Sequence, residues 1–284
     1  MDRIRPSTQF ENFTHTFSAD EKFFDALMSQ PCGEAFAEMC VWYNWLRQYL
    51  NDIQESLADT GQAHGKSYTT WVVAMLAGMS HAISMLMYLS PRGIIHEAGA
   101  SGRRALEFLG VASHLITDPS KAQYLFEGCE NTPSFKKAFL SGPTKSAEEL
   151  KRSGTKFRFA AMDSANAKAC TQLWEIFSRF NVHGDSLSAV ASIPAFTPNQ
   201  YSCAFCNRSL DATAKSIESF KPLLEITAIE LASLVGRFGE RTQRVKQAGA
   251  CILVWLNRQD PRWLHELELM RTRLGLAQTS ELPN

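Results

Sequence analysis

The sequence predicts an all-α fold, a helical bundle core with additional N- and C-terminal helices. Three observations predict it. Helix start and stop signals recur along the 284 residues, and the period-two alternation that marks strands is scarce. The composition, 45% hydrophobic and 20% charged, is that of a chain able to bury a core.

The first start signal is Ser18-Ala-Asp-Glu21, a capping box in which the serine and glutamate satisfy each other's exposed backbone donors. It predicts a helix ending near Pro31. A second helix, about Gly33 to Asp59, carries Phe36, Cys40, Tyr43, Leu46 and Leu50 at helical spacings and ends before the loop Thr60 to Gly65. The stretch Trp71 to Leu89 has no formally charged residue and is nearly long enough to span a bilayer. It contains Ser80, His81 and Ser84, and the other helices are amphipathic. The reading is therefore the central helix of a large core, with no integral membrane span expected.

Ser90-Pro91 stops that helix, because proline restricts the residue before it and lacks a donor. A fourth helix runs from about Ile94 to Thr117 and closes at Asp118-Pro119. Ser120 to Gly128 and Ser134 to Leu140 read as short helices, and Ser146-Ala-Glu-Glu149 is a second capping box. Another helix spans about Asp163 to Val182 and stops at His183-Gly184-Asp185. A loop with Pro194 and Pro198 leads to the helical stretch Ser209 to Asn257, expected to break near Pro222 and Gly249. Pro261 starts the last helix, which ends about Leu274. The bundle core is placed at about 67–185. If the chain divides, the proline loop around 193–202 separates a bundle domain over 1–192 from a C-terminal helical extension over 203–284; otherwise it is one continuous domain.

Lysine plus arginine equals aspartate plus glutamate, 29 against 29, so no global field draws the chain to nucleic acid or an anionic membrane. Any polyanion contact must be local. Residues 1–66 hold ten acids against five bases, whereas Lys136 to Arg158 holds seven bases against only Glu148 and Glu149. Basic surface is thus expected in the second half, with Lys151, Arg152, Lys156 and Arg158 as candidate binding residues. Seven scattered cysteines do not make a disulfide framework, and the N-terminus lacks the apolar core of a secretory signal, so a reducing, cytoplasmic setting is expected.

The fourth helix is the most informative element. Glu97, Arg104, Glu107 and His114, spaced by seven, three and seven, share one face and form a polar stripe on a helix that must also feed the core. Leu106, Leu109 and Ile116, with the small Ser113 among them, make the apolar face. Arg104 and Glu107 are placed to pair, an arrangement that more often orients a neighbouring helix than does chemistry. A second feature is the run Ser178-Arg-Phe-Asn-Val-His183, where Ser178, Arg179, Asn181 and His183 gather at a helix end. In a metal-independent ribonuclease such groups orient the ribose, neutralise phosphate and move a proton. The plainer reading is a histidine that caps exposed carbonyls at a helix C-terminus.

The run Arg103 to Pro119, with Ala122, Tyr124, Trp174 to Ser178 and His183, resembles a widespread bacterial family of helical proteins of unknown function. In that family an arginine and a glutamate three apart in one core helix accompany a later serine and histidine in a second; Arg104, Glu107, Ser178 and His183 are the matching positions. The resemblance covers about residues 70–185 through a loose motif. That family is similar in turn to the HEPN group of helical domains, which includes defence and toxin ribonucleases as well as non-catalytic binding modules, their sites usually assembled between paired subunits. Active members carry arginine, four to six intervening residues, then histidine. Here Arg179 and His183 are separated by only three. The resemblance therefore implies a binding or regulatory module for a protein partner or RNA in a bacterial defence or mobile-element setting. Its rival is a homodimeric ribonuclease using His183 and Arg179, with Arg104, Glu107 and Ser178 in support.

Cys203-Ala-Phe-Cys206 supplies two ligands where a tetrahedral zinc needs four, and no second cysteine pair follows at the expected spacing. No cofactor is expected. The sequence has no glycine-rich phosphate loop, no His-Glu-x-x-His zinc helix, no Gly-x-Ser-x-Gly elbow and no Glu-x-x-His pair.

Overall fold

The computed structural model describes residues 21–64, 66–122, 156–181, 196–197, 200–201, 210–238 and 258–276. Seven α-helices account for nearly all of them: α1 (21–28), α2 (Cys32–His64), α3 (Lys66–Leu89), α4 (Ile95–Thr117), α5 (Ser164–Asn181), α6 (Leu210–Phe238) and α7 (Pro261–Arg273). The fold is an all-α bundle. Among the described residues, Phe196–Thr197 and Gln200–Tyr201 form the one strand pairing, a two-residue antiparallel ladder in the proline loop.

Local chemistry explains each boundary. Glycine is required at position 33, where an added Cβ would lie 2.3 Å from the Met28 carbonyl oxygen and force the corner between α1 and α2 apart. α2 presents Phe36, Met39, Trp42, Leu46, Tyr49 and Ile53, a buried stripe stepping by three and four residues. It does not stop at Asp59 as the sequence suggests; the helix continues through the expected loop to His64. An interior glycine costs only about 1 kcal/mol relative to alanine, so Gly61 alone does not end a ladder already propagating.

α3 ends as expected at Ser90-Pro91, in a 3-10 turn closed by Gly93 at φ 72°. Asp118 closes α4 and accepts from the Ser120 amide and hydroxyl, which starts the 3-10 turn Pro119–Lys121. Asp163 caps α5: its Oδ1 accepts from the amides of Ala165 at 2.9 Å and Asn166 at 3.0 Å. Asp260 does the same for α7 through the Arg262 amide at 2.9 Å, with Pro261 at the first helical position.

The break expected at Pro222 does not occur. α6 runs unbroken from Leu210 to Phe238 with Pro222 inside it. Pro222 is exposed, while Phe220, Leu223 and Leu224 on either side of it are buried. Apolar burial at roughly 1.5–3 kcal/mol per large side chain outweighs the roughly 3 kcal/mol a helix-interior proline costs. The expected break near Gly249, and the capping box and short helices between 123 and 155, lie outside the described residues.

α3 and α4 fold back on each other through the Gly93 turn and form the most extensive helix pair. α2 packs on α3, α6 lies against α2, α4 and α5, and α7 closes over α2. One core cluster joins them, from Leu27 through Leu109 and Phe177 to Leu234 and Trp263. The Tyr49 hydroxyl donates to the Leu231 carbonyl at 3.0 Å and ties α2 to α6, and Trp42 meets Trp263 of α7 with ring centroids 5.1 Å apart. Thr70–Arg92 is the one segment, among the described residues, long and apolar enough to cross a membrane. Its Val72, Leu76, Met79, Ile83 and Leu86 lie in the core, while Met85 and Tyr88 are exposed.

Candidate functional site

α4 is covered progressively along its length. Glu97 and Arg104 are exposed, Glu107 is half-buried and His114 is fully buried. The polar stripe read from the sequence is therefore not one surface: it starts in solvent and ends in the core.

The exposed part becomes a site through a close backbone approach. The 3-10 turn Phe157–Phe159 rests on α4 at Gly110, where an added Cβ would lie 2.6 Å from the Arg158 carbonyl oxygen. Phe159, Ala160, Ala161 and Met162 are buried and anchor the turn. The Lys156 amide donates to Thr171 Oγ1 at 3.2 Å, and that hydroxyl donates to the Ala167 carbonyl at 2.8 Å, which fastens the turn to α5. Lys156 and Arg158 are thereby set over α4 beside Trp174.

Glu107 organises what gathers there. Its Oε1 accepts from Arg103 Nε at 3.0 Å, from Trp174 Nε1 at 2.9 Å and from Arg158 Nη1. The expected pairing of Arg104 with Glu107 is corrected: Arg103 takes that place and Arg104 is exposed. Both spacings lie on one helix face, but only Arg103 can also sit on the indole, its guanidinium carbon 4.6 Å from the Trp174 ring centroid. Arg158 stands 5.6 Å and Lys156 5.7 Å from the same ring, within cation–π range. Lys156 also pairs with Glu175 at 3.1 Å. Burial pushes the Glu107 carboxyl up, but the Trp174 N–H and the Arg158 and Arg103 guanidiniums outweigh it and hold its pKa below the ordinary value. Glu107 is ionised at neutral pH.

The other predicted residues divide. The Ser178 hydroxyl donates to the Trp174 carbonyl at 2.6 Å, a bond along its own helix. Arg179 and Asn181 lie in the last turn of α5, with side chains outside the described set. His183, Lys151, Arg152, Cys203 and Cys206 also lie outside the described residues.

Deeper along α4 is a polar knot that sequence reading missed. Glu230 of α6, fully buried, accepts from Ser113 Oγ at 3.0 Å and from Asn166 Nδ2 at 2.7 Å, joining α4, α5 and α6. Next to it, Lys121 Nζ lies 3.3 Å from His114 Nδ1. Burial pulls the Lys121 pKa below the ordinary lysine value, opposed by the Asp118 carboxylate. Burial, with the charges of Glu230 and Asp163, pushes the Cys170 thiol up, so it stays protonated and is no nucleophile. A separate groove of about 440 Å³ between α2 and α3 is lined by Tyr43, Arg47, Asn51, Ser80, His81 and Ser84 among others. No group of three or more potential metal ligands occurs among the described residues.

No protein-family model, no curated protein and no solved structure matches this chain.

Proposed function

We propose that the chain is a helical binding module of HEPN-like type that holds RNA on the face formed by α4, α5 and the turn between 157 and 159. The observation that carries this reading is the charge gathered on Trp174. Arg103, Lys156 and Arg158 lie around one indole, against two carboxylates, Glu107 and Glu175. Three cations against two anions leave a local excess of positive charge on a chain of zero net charge. Guanidiniums held by a ring and a carboxylate lose less side-chain freedom when they meet a phosphate than free ones do.

The HEPN-like type and the bacterial defence or mobile-element setting rest on the sequence resemblance. Binding of a labelled single-stranded RNA, followed by anisotropy at increasing salt, tests the reading. Micromolar or tighter capture at low salt that weakens steeply with salt supports it. No capture at low salt, or equal capture by the Lys156→Ala, Arg158→Ala double variant, sinks it.

One observation keeps the ribonuclease reading beside it. Trp174, Ser178 and Asn181 stand four and three residues apart on one face of α5, whose last residue precedes His183 by two positions in the chain. In that reading His183 is the general acid or base and Arg179 meets phosphate. RNA cleavage in the presence of a chelator, lost in His183→Ala, is its expected signature; intact RNA excludes it.

A further inference from the structure

The Glu107 carboxylate is used unevenly. Three donors converge on Oε1, whereas Oε2 has no hydrogen-bond partner among the described residues. The side chain is 30% exposed, and Oε2 is the end of it that takes no donor from these three residues. It is also an acceptor fixed in direction, because Trp174, Arg103 and Arg158 hold the other end of the same carboxylate from two helices and a turn.

We infer that Glu107 Oε2 is a ribose reader: it accepts a hydrogen bond from the 2′-hydroxyl of an RNA whose phosphate sits on Arg158 and Lys156. The inference rests on the RNA-binding reading above and names the group by which that site tells RNA from DNA. The chemistry follows from connectivity. In RNA the 2′-oxygen neighbours the 3′-phosphate. A phosphate drawn to the guanidinium that Glu107 itself holds therefore brings a hydroxyl donor toward the unused carboxylate oxygen. DNA offers no donor there and leaves a carboxylate oxygen facing a C–H, next to a phosphate. The 2′-hydroxyl is the group that distinguishes the two polymers at a given site, and a hydrogen bond to a charged acceptor is roughly twice as strong as a neutral one.

The test compares three oligonucleotides of equal length at fixed salt: oligouridylate, oligodeoxyuridylate and 2′-O-methyl oligouridylate. The first two differ only at the 2′ position, and the third keeps the oxygen but removes its proton. The unmodified protein is expected to bind the RNA about tenfold tighter than either analogue, a ratio corresponding to about 1.4 kcal/mol. In Glu107→Gln the side-chain carbonyl keeps the Trp174 and arginine donors and an amide N–H₂ faces the ligand. The ratio of RNA to DNA-analogue affinity should fall to about twofold or less, whatever the change in absolute affinity; a ratio still near tenfold overturns the inference. Equal binding of RNA and DNA by the unmodified protein, or of RNA and its 2′-O-methyl form, overturns the inference and leaves the binding module standing. Failure to bind any of the oligonucleotides overturns both. Because the modified ligands probe the unmodified protein, the result does not depend on the variant's folding; a retained thermal transition in Glu107→Gln qualifies the second arm.

Discussion

Arg158 is positioned by the missing side chain of Gly110. An added Cβ at position 110 would approach the Arg158 carbonyl oxygen to 2.6 Å, and the obstacle is backbone, which cannot rotate away. Gly110→Ala therefore sets two effects against each other. Alanine favours the helix by up to about 1 kcal/mol, and overpacking typically costs about 1–3 kcal/mol. With backbone as the obstacle, overpacking wins. The expected result is a lower urea midpoint together with RNA capture weakened toward that of Arg158→Ala. An unchanged midpoint would show that the turn lifts off α4 freely.

Neutralising the cations around Trp174 should act through phosphate contacts. Each of Lys156→Ala and Arg158→Ala is expected to weaken RNA binding several-fold across sequences and to reduce the slope of log affinity against log salt by about one unit. The double variant should show both losses. A variant that loses affinity with no change of slope would place its residue outside the phosphate contacts.

Acid should weaken the join between α4 and α5. Burial raises the Glu107 carboxyl, but the Trp174 N–H and the two guanidiniums prevail, so the folded pKa lies below the unfolded one. A depressed carboxyl contributes stability that is present above the ordinary carboxylate value and disappears as pH falls through the folded value. Urea midpoints of the unmodified protein and Glu107→Gln should differ at pH 7 and converge as the pH falls below the ordinary carboxylate range through the lowered folded value. The side chain is 30% exposed, which keeps this difference modest.

The knot around Glu230 should matter more for stability than for binding. Asn166→Ala removes the donor that reaches Glu230 Oε2 at 2.7 Å in a fully buried setting. Leaving a buried hydrogen-bonding group without its partner costs about 1–3 kcal/mol. Denaturant unfolding should show that loss while RNA affinity, measured well below the transition, stays within twofold. A large change in affinity at unchanged stability would move the knot into the binding surface.

The last helix is held by aromatic packing. Trp263, 1% exposed against Trp42, is expected to cost about 3–5 kcal/mol when truncated to alanine. Calorimetry should show a lower Tm, with early proteolysis near residue 260 if α7 detaches first.

Much of this fold is written in local signals. Ser90-Pro91, Asp118-Pro119, Asp163 and Asp260-Pro261 act within one or two residues of themselves, so the boundaries they set are read from the chain alone. Pro222 and Gly61 are equally local signals, yet helices run through both: burial of Phe220, Leu223 and Leu224 around Pro222 depends on distant partners that spacing does not reveal, and Gly61 costs a propagating helix too little to end it. The same limit governs the site. Glu107 was found by its place on a helix face, but its partners Trp174 and Arg158 stand 67 and 51 positions away. Ser113 looked like a small residue on an apolar face because Glu230, which explains it, is 117 positions distant. One signal was within reach: Arg103 stands four residues before Glu107, as favourable a spacing as the three from Arg104.

The pairing of Trp42 with Trp263 also sets an order of events during synthesis. The ribosome delivers residue 42 early and residue 263 late, so a nascent chain carries an indole on α2 whose cover has not yet been made. During that interval the bundle exposes the kind of apolar surface that chaperones hold and that aggregation exploits. Docking of α7 on α2 covers that indole, and from then on the emerging chain no longer offers it as a handle to its surroundings.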